Sequence, residues 1–396
     1  MTCADRGSVG NWWLMNESAP RGVHPGAYGL AVAVALVTGA VAIGCGVYLG
    51  LPLRDPDGFL GPTYVRLPLI VALMLAVDVA PRALWRARSF RSLPAQTLLV
   101  ARERWPWRRL VPVLIGLAAF YATYVSYRNL KNFLPLLRPD QVDDELTVLD
   151  RALTGGVAPA EYLHDILGVG TAAHVLSWVY LAFLIFVPGS LALALVSRGR
   201  SREASWYVTA LCLNWSLGTA SYYVLPSRGP VYAEPELFYD LPSTGTSALQ
   251  HSLLVSRWLV LTDPQGTERI QSIAAFASLH VSIIFTAALI GQLVLRSRLV
   301  RSGLWAFFAL TVAATIYFGW HYIVDDVAGL VIGGGSVLLA AWGTGQWGRW
   351  SVAAPEEAGG HGGTGEPLDG AAPDQGPGEL TPARFWGRPQ AVPSRS

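Results

Sequence analysis

The chain has 396 residues, of which 52% are hydrophobic and only 14% charged. A soluble domain carries about 25% charged residues, so a string of soluble domains is excluded. The net charge is +2 and the arginines sit in short loops between apolar runs, which disfavours a nucleic-acid partner.

Intervals 204–227, 270–295, 302–324 and 327–348 contain no Asp, Glu, Lys or Arg. Uncharged runs of this length fit membrane helices, which need about 20 apolar residues. The expected fold is therefore all-α, a polytopic bundle of about eight transmembrane helices. In chain order they lie near 27–53, 67–84, 110–127, 171–197, 205–225, 273–295, 303–321 and 324–346. The second is the weakest, since Pro68, Asp78 and Pro81 interrupt it.

Residues 1–26 are polar (Asp5, Arg6, Glu17, Arg21) and read as a cytoplasmic N-terminal segment. The apolar run that follows is too long for a signal-peptide core and reads as a retained anchor. Residues 27–109 hold two helices and an arginine-rich loop, and 110–346 hold a six-helix core. The segment 347–396 reads as a disordered cytoplasmic tail, its last 46 residues containing nine Gly and seven Pro. The three cysteines, Cys3, Cys45 and Cys212, suggest neither a disulfide framework nor a metal site. A single lysine beside 28 arginines fits a GC-rich bacterial coding bias.

Orientation follows from the arginines. Segment 82–109 carries eight of them against Glu103 alone, and the turns near 198–202 and 296–301 are also basic. The alternate loops, 128–165 and 228–269, are net acidic. The positive-inside rule then places the arginine loops and both termini in the cytoplasm of a cell membrane. In the acidic loops, 140–167 has apolar residues at helical spacing, and SALQHSLLVSRWLVL forms a second amphipathic stretch. Both are expected to lie along the outer membrane surface as a lid or rim.

Two histidines sit in apolar surroundings at matched depth: His280, in FASLHVS, and His321, in FGWHYIVDD. Asp325 follows His321 by four residues, so on a helix the two share a face. A membrane histidine can simply bond a neighbouring helix, and a His/His/Asp trio is also compatible with a metal. The joint pattern favours a site, because ionisable groups in the membrane are costly without a role.

These residues resemble motifs of the type 2 phosphatidic acid phosphatase superfamily, and within it the inositolphosphotransferase and inositol phosphorylceramide synthase branch. Ser278-Leu279-His280 is similar to its Ser-x-His motif. His321, Asp325 and Gly329 are similar to its His-x-x-x-Asp motif and the small residue that follows. The resemblance covers roughly 110–346. It implies a phosphohistidine mechanism without cofactor or metal, with His321 as nucleophile, Asp325 as its orienter and His280 as acid. Arg228 and the Ser278 hydroxyl would hold phosphate, joined by Arg128 and Lys131, which could equally be membrane-interface anchors. The phosphatase branch has Ser-Arg where this chain has Ala314 and Thr315.

The implied activity is lipid phosphotransfer at the extracytoplasmic face, with a lipid phosphate or phospholipid as substrate. A lipid phosphate phosphatase, a transporter using its histidines as a relay, and an inactive scaffold are the alternatives.

Overall fold

The computed structural model describes residues 25–56, 63–87, 89–267 and 272–349. The expected N-terminal segment and the tail therefore lie almost wholly outside the described residues. Among those described there is no strand.

The chain begins with a membrane-length pair, α1 (Gly29–Leu49) and α2 (Thr63–Arg86), and a short α3 (Leu93–Arg104). The long α4 (Trp107–Leu137) leads to two short helices, α5 (Asp143–Leu153) and α6 (Pro159–Leu167). The hairpin α7 (Thr171–Val196) and α8 (Ser201–Val224) follows, then one turn of helix, α9 (Pro230–Ala233), and α10 (Gly245–Thr262). The bundle closes with α11 (Leu279–Val294), α12 (Arg298–Tyr317) and α13 (Ile323–Gly343).

A helix lies at each of the eight expected spans. Six of them (α1, α2, α4, α7, α12, α13) are long and apolar enough to cross a membrane. The seventh, α11, is apolar but has 16 residues. The eighth, α8, is long but carries Asn214, Thr209, Ser205 and Thr219 along a buried surface. Its location explains its polarity. It is wrapped by α4, α7, α11 and α13, so it needs little lipid-compatible surface. Asn214 donates to Thr286 Oγ1 at 3.0 Å and accepts from Ser282 Oγ, which ties α8 to α11.

The third span is longer than expected, 31 residues instead of 18, or about 46 Å of helix. The apolar run stops at Arg128, but the helix continues because Asn129 and Asn132 turn inward and are buried. Asn129 closes a bond pair with the Arg54 backbone, accepting at 2.9 Å and donating at 2.8 Å. Arg128 and Lys131 therefore stand inside a helix, more than one turn from its end at Leu137.

The helices α11 and α13 approach closely, for a reason visible in two glycines. A Cβ on Gly329 would lie 2.6 Å from the Ser278 carbonyl oxygen, and one on Gly333 would lie 2.7 Å from that of Ser282. This contact seats the start of α13 on the start of α11.

The short helix α5 lies within the expected amphipathic stretch 140–167. Its face toward the bundle combines Asp143, Leu146 and Asp150, all buried. Away from the bundle α5 leaves Val148, Leu149 and Leu153 exposed.

Candidate active site

Three segments meet where the helices opposite the arginine-rich end terminate. The segment 226–229 is pinned to 274–277: Ala275 N donates to the Ser227 carbonyl at 2.9 Å, and Phe276 N to Ser227 Oγ at 3.1 Å. It is pinned also to 318–321, through Val231 N and the Gly319 carbonyl at 2.9 Å. Gly229 makes that approach possible. Its φ is 101°, and a Cβ there would lie 2.5 Å from the Trp320 carbonyl oxygen. An L-residue would both strain and clash.

His321 lies in the turn between α12 and α13, and Asp325 in the first turn of α13. Asp325 Oδ2 accepts the Tyr322 N–H at 2.9 Å, half of a capping box that fixes the helix start. The same oxygen lies 3.4 Å from His321 Nδ1. That is ion-pair distance, and Nδ1 makes no hydrogen bond to a described residue. Burial pulls the His321 imidazole down to about 4, although the neighbouring Asp326 carboxylate pulls it up. The ring is neutral at neutral pH, as a nitrogen nucleophile must be.

His280 is the second residue of α11, and its ring centroid is 6.4 Å from that of His321. It is wedged among aromatic rings. Tyr180 stacks on it at 4.4 Å and continues the stack onto Trp320 at 5.1 Å, while Phe183 lies at 4.0 Å on the other contact.

Both histidines line a cavity of about 520 Å³, together with Arg128, Lys131 and Arg228. Five of the seven candidate residues thus surround one space. The other two do not line it. Asp325 is fully buried behind His321. Ser278 is the N-cap of α11: its Oγ accepts from Val281 N at 3.4 Å, and its N–H donates to the Asp325 carbonyl at 2.9 Å. In this geometry Ser278 holds two motifs together, and its hydroxyl is not presented to the cavity.

The two positions where the phosphatase branch has Ser-Arg are both buried. Thr315 Oγ1 donates to Asp326 Oδ2 at 3.0 Å. No arginine enters from α12 at this point. The cavity cations come from α4 and from the 226–229 loop.

Sequence reasoning missed Asp143 and Asp150. Asp143 is 2% exposed and accepts from Arg228 N at 2.9 and 3.0 Å, Gly229 N at 2.9 Å and Tyr322 Oη at 3.1 Å. Its Oδ2 also lies 3.5 Å from Arg228 Nε. Asp150 accepts the Ile323 N–H at 3.1 Å and so caps α13. One carboxylate orients the Arg228 loop and the other the helix that carries Asp325. Their spacing of seven, on the same face as Leu146, was the available signal. Two acids inside the apolar stripe of a helix need protein partners.

Among the described residues no cluster of three His, Cys, Asp or Glu side chains is arranged to hold a metal ion. No curated protein and no solved structure matches the chain. Over residues 144–339 the chain matches the family model of the PAP2 superfamily, a stretch that contains both histidine motifs and Arg228 and leaves Arg128, Lys131 and Asp143 outside it.

Proposed function

We propose that this chain is a membrane lipid phosphotransferase working at the extracytoplasmic face, through a covalent phosphohistidine. One observation carries the reading. Two histidines with rings 6.4 Å apart stand beside Arg128, Lys131 and Arg228 at one end of a largely apolar cavity within a membrane bundle. A single phosphoryl group can reach both rings, and its negative oxygens can face three cations while the lipid stays in an apolar surround.

In this scheme His321 Nε2 attacks phosphorus and the bond from phosphorus to the leaving oxygen breaks, its electron pair departing with that oxygen. His280, which enters the step protonated beside the bound phosphate, gives the oxygen that proton and releases the lipid alcohol. Asp325 stands at Nδ1 and balances the positive charge that the imidazole gains, a contact that shortens as charge develops. An acceptor hydroxyl then loses its proton to His280 and attacks phosphorus, which frees His321.

Transfer is favoured over hydrolysis because the cavity walls are mostly apolar, and a bound acceptor excludes water from the second step. The cations from α4 support a second reading, since they restore charge that Ala314 and Thr315 do not supply. With them the site could hydrolyse phosphate monoesters. Purified protein supplied with a labelled phosphodiester lipid separates the two. Donor turnover that rises with a lipid or sugar-lipid acceptor, yielding a new phosphodiester, supports transfer. Efficient monoester hydrolysis that no acceptor alters supports the phosphatase, and Arg228→Ala should then cripple it. No turnover of either kind, and no phosphorylated His321, would remove the enzymatic reading.

A further inference from the structure

The cavity is much deeper than a phosphate needs. Its charged residues stand at one end, and from there it runs along the groove between α4 and α7. On α4 the lining extends from Lys131 to Leu117, and on α7 from Tyr180 to Ala192. At 1.5 Å per helical residue these stretches correspond to about 20 Å. Away from the charges it is lined by Leu117 and Leu191, and Ile70 and Met74 of α2 also line it. Leu184 lines the cavity while remaining 59% exposed, so the slot has a sideways mouth toward the bilayer.

Spread over that length, 520 Å³ gives a mean cross-section of at least roughly 25 Å². Apolar chains in contact lie about 4.5 Å apart, so each needs roughly 20 Å². The slot has room for at least one hydrocarbon chain. An extended chain of single bonds advances about 1.2 Å per bond, as three backbone bonds span about 3.6 Å in a peptide. About 16 bonds fill the slot.

Resting on the reading of the charged end as a phosphate site, we infer that the donor is a lipid phosphate ester that threads one apolar chain of about 16 carbons down the α4–α7 slot. A donor with two chains leaves the second in the bilayer through the mouth at Leu184. The slot sets specificity by chain length, and it does so with α2 and α4, which lie outside the stretch matching the family model.

The test uses full-length protein and donors that share one phosphorylated head group and carry chains of 8, 12, 16 and 20 carbons. In the wild type kcat/KM rises to about 16 carbons and then levels or falls. Ala192→Phe and, separately, Leu117→Phe raise the floor of the slot. Each lowers kcat/KM for the 16-carbon donor at least tenfold relative to the 8-carbon donor. Equal proportional losses for all chains, or a flat wild-type profile, would overturn the slot. A second measurement does not depend on turnover. Ala192→Trp adds a fluorophore at the floor to the native tryptophans, and the quenching gained over wild type with alkyl phosphonates brominated at the chain end is greatest when the chain is long enough to reach it. Quenching that ignores chain length overturns the slot even in an active enzyme. Length-dependent quenching in a protein that turns over no donor keeps the slot and removes the phosphotransfer reading.

Discussion

The two ends of the bundle each bury carboxylates, and they treat them differently. At the arginine-rich end Asp78 accepts from Arg104 Nε and Nη2 at 2.8 and 2.6 Å, Arg82 Nη1 at 2.9 Å and Trp105 Nε1 at 2.9 Å. Arg109 lies over the Trp105 ring and bonds the carbonyls of Arg104 and Val196, which ties α4 to the end of α7. Every oxygen of Asp78 is saturated. At the other end His321 Nδ1, Asp325 Oδ1, Asp326 Oδ1 and Trp320 Nε1 are buried without a hydrogen bond to a described residue. A buried polar group left unpaired costs about 1–3 kcal/mol. The saturated cluster reads as structure. The unsaturated one is what a site that must bind charge and change protonation requires.

The largest expected effect tests the unsaturated end. His321→Ala should abolish turnover and leave no acid-labile phosphate on the protein, measured with a phosphorus-labelled donor. Activity within tenfold of wild type would end the assignment. Asp325→Asn should keep the fold and lose about 10³- to 10⁴-fold in rate, since the imidazole loses its charge partner. Asp326→Asn retains an oxygen for Thr315 and should lose less than about tenfold. If the two losses were equal, Asp326 would be the orienting carboxylate.

Asp78→Ala breaks the comparison from the saturated end. It strands Arg104 and should destabilise the protein by about 3 kcal/mol, seen as a lower Tm in detergent, with little change in rate per folded molecule. A loss of rate without a loss of stability would place function at both ends. The sidedness of the two ends is tested by cysteine labelling of intact cells with an impermeant reagent. Tyr239→Cys should react and Ser89→Cys should not, and reversal would turn the site toward the cytoplasm.

The smallest effect concerns Asp150, which belongs to neither extreme. Burial raises its carboxyl from 3.8 to about 6, opposed by the backbone donors at the start of α13. A raised folded pKa means that stability present at low pH is lost as pH climbs through about 6. Asp150→Asn keeps an acceptor for Ile323 N and removes that loss. It should raise Tm slightly above pH 6 and not at pH 4. A Tm rise of equal size at both pH values would show that titration of Asp150 is not the cause.

Helix positions were legible because lipid and interior both demand uncharged runs of fixed length. That rule misjudged the length of α4, where Asn129 and Asn132 turn into the protein and Asn129 bonds the Arg54 backbone. It also says nothing of why α8 tolerates so many hydroxyls and amides, since enclosure by other helices is a property of the assembled bundle. His280, His321 and Asp325 were legible from their local spacing and apolar setting. Asp143 was not, because its partners at Arg228, Gly229 and Tyr322 are 85 to 179 residues distant.

The sequence by itself therefore determined an all-α membrane bundle, the charge asymmetry of its loops and a histidine pair with one carboxylate, because each is written in composition or short-range spacing. Only the tertiary structure decided which cations reach the histidines, that Ser278 braces the motifs from behind, and that α2, α4 and α7 leave a long slot beneath the charged end. Those outcomes depend on which faces of distant helices meet, and that is settled by packing across the whole bundle.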